Sequence, residues 1–172
     1  MKRLIIRQEK PSEFPFLYDF VKVAFQTAKV ADGDEQGYVN KLRASGNYIP
    51  ELALVAEEDG KIVGHIMLTK TYVATGGSKF EALLLAPLSV ALEYRRCGIG
   101  SKLVLYSFDL AKKLGYKALF VVGDPAYYGR FGFKSTAPLI KHVPMPIPDE
   151  NLMVYELSSG ALAGVAGTVT FI

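Results

Sequence analysis

The 172-residue sequence contains one cysteine, no tryptophan and no long apolar run. The single thiol, Cys97, can form neither an internal disulfide nor a cysteine-rich metal site, which favours a reducing compartment. The apolar residues 4–6 that follow the basic start are interrupted by Arg7 and Glu9, so a signal peptide is not expected. The apolar run 161–172 is much shorter than the roughly 20 residues that cross a bilayer. We therefore expect a soluble cytoplasmic protein without a membrane partner.

The charge of the chain is mild, with a formal net value of +3 and no dense block of Lys and Arg. Nucleic acid is therefore not an expected partner. Apolar residues make up 50% of the chain and charged residues 22%, which is typical of a globular protein with a sizeable core. No group of His, Cys and Asp has the spacing of metal ligands, so no metal is expected. The length fits a single domain that spans residues 1–172.

The apolar periodicity predicts an α/β domain with a mixed sheet. Helical spacing at Phe14, Leu17 and Val21 predicts a first helix, with Ser12 as its N-cap. A second helix is expected around Tyr38 and Leu42. A strand, a helix and a strand within about 40 residues then form a parallel βαβ unit. Strands are expected at residues 4–6, 52–55, 62–73, 83–92, 118–122, 152–157 and 165–171.

Four local features carry more specific expectations. The pair Asp59-Gly60 predicts a tight hairpin turn between the second and third strands. Pro87 predicts a bulge or a strand start, because proline cannot donate a ladder hydrogen bond. Four prolines make the segment 134–150 an expected irregular loop. The helix over 102–114 is expected to bury one stripe of residues, namely Leu103, Tyr106, Leu110 and Leu114.

A turn rich in glycine and arginine, Arg95-Arg96-Cys97-Gly98-Ile99-Gly100-Ser101-Lys102, separates the fourth strand from that helix. Such a turn exposes backbone N–H groups at the positive end of the helix dipole, which suits a phosphate or pyrophosphate. The P-loop pattern fails because no Ser or Thr follows Lys102. The dinucleotide-binding pattern fails because Leu103 stands at its last glycine position. The third common pattern is R/Q-x-x-G-x-G/A after a strand that contains valine.

Val90, Arg95, Gly98 and Gly100 match that third pattern position by position. Here the sequence resembles the GNAT superfamily of acetyl-CoA-dependent N-acetyltransferases, and within it the YhbS-like branch of predicted acetyltransferases. The segment 127–133, Tyr-Tyr-Gly-Arg-Phe-Gly-Phe, is similar to the second signature of the superfamily, Phe/Tyr-Tyr-x-x-x-Gly-Phe. The resemblance extends over nearly the whole chain.

The resemblance implies a central, mixed and mostly antiparallel sheet of about seven strands with about four helices, splayed at the cofactor cleft. It also implies direct transfer of an acetyl group from acetyl-CoA, as co-substrate, to a primary amine of a small molecule or a protein. The residues expected to contact CoA are Leu88, Ser89, Val90, Arg95, Arg96, Cys97, Gly98, Ile99, Gly100, Ser101, Lys102, Asp124, Tyr127 and Tyr128.

The same resemblance assigns chemical roles. Tyr128 is expected to act as the general acid, and the backbone N–H of Val90 to polarise the thioester carbonyl. The base that takes a proton from the acceptor ammonium stays open among Glu57, Glu81, His65 and Asp124. On the residues alone, Asp124 is favoured as a helix cap and His65 as a hydrogen-bonded core histidine. Cys97 is not expected to be a nucleophile, because direct transfer has no acyl-enzyme step.

Two other functions remain open at this point. The chain could be a non-catalytic acyl-CoA-binding regulatory module, or a binder of a different nucleotide that uses the same turn. Exposed strand edges and the apolar C-terminus allow a homodimer without requiring one.

Overall fold

The computed structural model describes residues 3–171. Met1, Lys2 and Ile172, and with them both ends of the predicted domain 1–172, lie outside the described range. The α-helices are α1 (Phe14–Phe25), α2 (Glu35–Ala44), α3 (Ile99–Lys113) and α4 (Pro125–Tyr128). The strands are β1 (Leu4–Gln8), β2 (Ala53–Glu58), β3 (Lys61–Ala74), β4 (Lys79–Val90), β5 (Ala118–Val122), β6 (Lys134–Ser135), β7 (Ile140–His142), β8 (Leu152–Glu156) and β9 (Gly167–Val169).

The strands form a sheet with the order β1-β2-β3-β4-β5-β8-β6, and β9 pairs with both β3 and β7. Parallel pairing joins β4 to β5 and β7 to β9. Antiparallel pairing joins β1 to β2, β2 to β3, β3 to β9, β5 to β8 and β6 to β8. The prediction of a mixed, mostly antiparallel sheet with four helices is confirmed.

The chain divides into two compact units, and the first comprises the residues up to Thr69 together with Ala86–Leu110. In this unit α1 and α2 pack on one face of β2 and β3. The core between them consists of Val21, Val39, Leu42, Ala53 and Met67. The predicted helical spacing of α1 is confirmed, because its buried residues recur every three to four positions. The predicted hairpin is present as well, since Asp59 and Gly60 have φ of 50° and 81°.

The second unit comprises Lys70–Leu85 and the residues from Ala111 onward. Its centre is β5, which pairs in parallel with β4 at Leu83–Leu85 and antiparallel with β8. Gly115, with φ of 90°, follows the end of α3, as expected of a C-terminal glycine. All four of Ala118, Leu119, Phe120 and Val121 are buried, as the apolar run predicts.

Two local predictions about helices are wrong. Ser12 is not an N-cap, because Pro11–Glu13 forms a 3₁₀ turn and α1 begins at Phe14. The Glu13 carboxylate instead accepts the Lys10 N–H at 2.8 Å. The buried face of α3 matches the predicted stripe only in part: Leu103 is buried and Leu110 is half-buried, whereas Tyr106 and Leu114 are 43% and 47% exposed. The residues that line this face further along are Val104, Ser107, Phe108 and Ala111.

Two predictions about strands also need correction. For Pro87 the strand start is wrong, because β4 runs without interruption from Lys79 to Val90. A bulge at Pro87 stays a prediction. The pairing of β4 with β5 runs from Leu83 to Leu85 and so ends before the proline. The segment 134–150 is not irregular throughout, because it contains β6 and β7. These short strands are held by pairing with distant residues of β8 and β9, which local sequence does not reveal.

Candidate active site

The loop between β4 and α3 is wound so that its backbone can hold an anion. Arg96 and Gly98 both adopt left-handed conformations, with φ of 63° and 81°. The first α-helical hydrogen bond runs from the Lys102 N–H to the Gly98 carbonyl at 3.1 Å. The N–H groups just before it have no acceptor within the helix, namely those of Ile99, Gly100 and Ser101. A left-handed turn that leads into a helix N-terminus fits a phosphate or pyrophosphate.

The first turns of α3 lie close to β3 because of a glycine in the strand. A Cβ atom at Gly64 would lie 2.9 Å from Leu103 Cδ1 and 3.0 Å from Ile99 Cγ2. The end of β4 is fixed on the same strand, since the Ala91 N–H donates to the Val63 carbonyl at 2.9 Å. The segments on both sides of the turn, at Ala91 and at Ile99, are therefore fixed on β3.

The side chain of Arg95, which was expected beside the anion, lies against the C-terminal end of α1. Its guanidinium donates to the Ala24 carbonyl and to the Thr27 hydroxyl, both at 2.6 Å. Ala24 lies in the last turn of α1, where a cation also meets the negative end of the helix dipole. The side chains of Arg96 and Lys102 are exposed. Arg95 therefore ties the turn to α1, and Arg96 and Lys102 present exposed cationic side chains at the same turn.

The last residues of β4 provide a second polar feature in this unit. Leu88 and Val90 are half-buried, whereas Ser89 is 2% exposed. Ser89 Oγ has no hydrogen-bond partner within the described part of the chain. Buried hydroxyls normally have a partner, so a polar ligand group at the end of β4 would satisfy this one. Cys97 is exposed in the turn, and its thiol donates a 3.5 Å hydrogen bond to the Arg95 carbonyl.

Tyr128, in the second unit, is held by a cluster of aromatic rings. Its ring contacts Tyr127 edge-on, with centroids 5.0 Å apart, and Phe133 with centroids 5.5 Å apart. The ring also lies against the backbone of Gly123. Burial, and then the neighbouring Tyr127, raise the pKa of Tyr128 above its ordinary value. The phenol is therefore protonated at neutral pH and can act as a proton donor.

The residues around Tyr128 fix the short helix α4. Asp124 is its N-cap, since the carboxylate accepts the Ala126 N–H at 3.0 Å. This outcome confirms the helix-cap expectation for Asp124. The Arg130 guanidinium lies 4.5 Å from the centroid of the Tyr127 ring. Burial raises the pKa of Tyr127 as well, although Arg130 opposes the shift.

The four candidate bases have different surroundings. Glu57 is 2.7 Å from the Arg7 guanidinium, and this ion pair occupies its carboxylate. Glu81 is exposed on β4, and Asp124 caps α4. His65 is fully buried on β3, with Nε2 2.8 Å from a carboxylate oxygen of Glu9. Among these four candidates, only His65 is both buried and hydrogen-bonded to a carboxylate.

Three residues that surround His65 were not predicted from the sequence: Glu9, Arg43 and Tyr48. Glu9 accepts hydrogen bonds from Arg43, Tyr48 and His65, and its side chain has 0% exposure. The partners are 34 to 56 residues apart in sequence. No local pattern marks such a cluster, because it exists only once β1, α2 and β3 have packed together.

Among residues 3–171, no helix is both long and apolar enough to cross a membrane. No group of three or more His, Cys, Asp or Glu residues in the same range could hold a metal ion.

Comparison with known proteins assigns the chain to one family. A family model described as the acetyltransferase (GNAT) domain matches residues 5–136. The chain is 31% identical over 169 residues to the uncharacterized N-acetyltransferase YhbS of Escherichia coli K12, covering 98% of this chain and 96% of YhbS. The crystal structure of E. coli YhbS in complex with CoA matches with a TM-score of 0.84 over 100% of this chain and 91% of that one, at 31% identity. A GNAT acetyltransferase from Brucella melitensis in complex with acetyl-CoA matches with a TM-score of 0.72, at 28% identity over 90% of this chain and 88% of that one.

Proposed function

We propose that this chain, which belongs to the GNAT acetyltransferase family and is an acyltransferase, transfers the acetyl group of acetyl-CoA directly to a primary amine. The amine belongs to a small molecule or to a protein. Residues 1–172 act as one N-acetyltransferase domain in this proposal, since the family model spans 5–136 and includes parts of both units.

The turn that precedes α3 carries the proposal. Its left-handed residues Arg96 and Gly98 leave three N–H groups for the pyrophosphate of the co-substrate. Arg96 and Lys102 would add positive charge at the same place. The unpaired Ser89 Oγ, beside the expected path of the amide-bearing pantetheine arm, would gain a hydrogen bond. Relatives with this fold have been crystallised with CoA and acetyl-CoA, which supports the same donor here.

Two protein groups would act on the thioester. The Val90 N–H would donate to the carbonyl oxygen as that atom gains negative charge. The acceptor nitrogen attacks the carbonyl carbon, the carbon–sulfur bond breaks, and the Tyr128 phenol gives its proton to the departing sulfur. The amine nitrogen releases a proton as the amide forms, and this proton balances the one that Tyr128 has lost.

Thermal unfolding in the presence of nucleotides tests the donor. A ligand at 100 times its Kd adds about 2.7 kcal/mol of stability, so acetyl-CoA and CoA should raise the Tm measurably. Gly100→Glu places a carboxylate among the phosphate-binding N–H groups and should abolish this rise. Gly129→Ala is the matched control, because a Cβ at Gly129 meets no atom within 4 Å. Stabilisation by NAD or ATP with none by acetyl-CoA would refute the assignment.

A further inference from the structure

A buried charged cluster lies in the first unit, on the side of the sheet that α1 and α2 cover. Its centre is the Glu9 carboxylate, just after β1. Arg43 of α2 donates to it twice, from Nε at 3.0 Å and from Nη2 at 2.8 Å. The Tyr48 hydroxyl donates at 2.7 Å, and His65 Nε2 lies 2.8 Å from Oε1. The carboxylate is thus fully satisfied and held in one orientation.

The protonation state of this cluster follows from its hydrogen bonds. Burial alone would raise the pKa of Glu9, but the hydrogen bonds from His65 and Arg43 outweigh it and hold the pKa at about 2. An ionised carboxylate only accepts hydrogen bonds, so the proton of the imidazole must lie on His65 Nε2. Burial lowers the pKa of His65, with Glu9 opposing the shift, so the ring is neutral at neutral pH. His65 Nδ1 therefore carries a bare lone pair.

The lone pair of His65 Nδ1 has no hydrogen-bond donor, and two other buried polar atoms also lack a partner. His65 Nδ1, Thr69 Oγ1 and Tyr38 OH are buried without a hydrogen-bond partner among residues 3–171. His65, Met67 and Thr69 are spaced two residues apart along β3, so their side chains point to the same face of the strand. Met67 and Tyr38 belong to the core beneath α1 and α2, which identifies this face. Unpaired buried polar atoms are rare in native proteins, so the bare Nδ1 indicates that a polar group or a water binds there.

We propose that His65 is the general base of the acetyl transfer and that Glu9 is a positioning residue that holds the imidazole with Nδ1 bare. This inference rests on the proposed function. The acceptor binds as an ammonium ion beside the thioester, and one of its protons passes to Nδ1 through one water. The neutral amine that results attacks the thioester, and the imidazolium later returns its proton to solvent. A carboxylate that orients a histidine is a general device for setting which nitrogen is basic.

The His65→Gln variant tests the base directly. The glutamine amide can still donate to Glu9 but has no basic nitrogen. We expect kcat with an alkyl ammonium acceptor to fall by at least about 100-fold, the usual scale of general base catalysis, while the Kd of acetyl-CoA is unchanged. Tyr48→Phe is the matched control: it removes one hydrogen bond of the same cluster, keeps the base, and should change kcat by only a few-fold.

The choice of acceptor separates a base from a structural residue. An aromatic amine is already neutral at the pH of the assay and does not need a base. His65→Gln should therefore acetylate an aromatic amine nearly as fast as the wild type does. A purely structural role would slow both acceptors to the same extent, and that result would overturn the proposal.

The pH profile gives a further readout. The charged and titratable groups that face His65 are Glu9, Glu13, Arg43 and Tyr48. Since the pKa of His65 is lowered from 6.5, the wild-type kcat/KM should fall on the acidic side below that pH, and His65→Gln should lose this limb. An unchanged limb in the variant, or a kcat within a few-fold of wild type, contradicts the base role.

One measurement on the wild type does not depend on how the variants fold. Nitrogen NMR of the imidazole should show Nδ1 unprotonated and Nε2 protonated at neutral pH. A proton on Nδ1 would overturn the proposal. A wild-type protein that acetylates no amine at all would refute the proposed function instead, so the two failures are distinguishable.

Discussion

The ring of Tyr128 lies directly against the backbone of Gly123. A Cβ atom at Gly123 would lie 2.7 Å from Tyr128 Cδ2. The glycine cannot move aside easily, because its N–H donates to the Asn151 carbonyl and its carbonyl accepts the Asn151 side-chain amide, both at 3.0 Å. The position of the phenol therefore depends on the absence of a side chain at residue 123.

Gly123→Ala should displace the Tyr128 ring and lower kcat by about tenfold or more, since misplaced catalytic groups lose much of their effect. The Kd of acetyl-CoA should change little. Gly129→Ala makes the same substitution six residues further along, where a Cβ meets no atom within 4 Å, and should leave kcat unchanged. Equal kcat values in both variants would show that the ring position does not matter.

Tyr128→Phe removes the proton donor and keeps the ring in its aromatic cluster. We expect kcat to fall about 100-fold with little change in Tm, because the packing area is retained. The raised pKa of Tyr128 also predicts that the wild type shows no alkaline loss of kcat from this residue below its ordinary value of 10.0. An alkaline limb between neutral pH and 10.0 that disappears in the Phe variant would contradict the raised pKa of Tyr128, whereas an unchanged kcat in the Phe variant would contradict its role as the acid.

Arg95 and Arg96 are adjacent but should have separable effects. Arg95→Ala leaves the Ala24 carbonyl at the end of α1 without its guanidinium partner, so we expect the KM of the acceptor amine to rise more than the Kd of acetyl-CoA. Arg96→Gly removes a charge beside the phosphate site without straining the left-handed backbone, and should weaken acetyl-CoA binding about fivefold to tenfold. Calorimetry with CoA and initial-rate kinetics measure the two effects. Equal changes in the KM of the amine and in the Kd of acetyl-CoA for both variants would contradict these separate roles of Arg95 and Arg96.

Glu9 should contribute to stability in a defined pH range. Its pKa is lowered from 4.5 to about 2 in the folded protein, so its contribution is present above pH 4.5 and lost as the pH falls toward 2. By linkage, the shift corresponds to roughly 3 kcal/mol. Chemical denaturation between pH 7 and 2 should show this loss for the wild type and a flatter curve for Glu9→Gln. The exposed Glu81→Gln serves as control and should follow the wild-type curve.

The sequence predicted those parts of the site that depend on local chemistry. Gly98 and Gly100 mark the turn before α3, and the tyrosines before Phe131 mark α4, because each pattern reflects a local backbone requirement. The buried face of α3 was mispredicted because Ser107 lies on it, and its hydroxyl is satisfied by the Val104 carbonyl of the same helix at 2.7 Å. Pattern reading assigns such a serine to the exposed side.

The remaining features depend on residues that meet only in the folded chain. The hydrogen bond from Arg95 to the Ala24 carbonyl of α1 joins positions that are 71 residues apart. The partners of Glu9 lie in α2, in β3 and in the segment that follows α2. Sequence reading placed His65 among four candidate bases but could not rank it first, because the carboxylate that orients it is 56 residues away.

The release of thiol from acetyl-CoA across a panel of amines tests the central claim most directly. The account predicts thiol release that depends on the amine, with one acetylated amine formed for each CoA released, and the loss of this turnover in Gly100→Glu. Tight binding of acetyl-CoA without thiol release for any small-molecule or peptide amine would contradict the account and would identify the protein as a non-catalytic acyl-CoA-binding module.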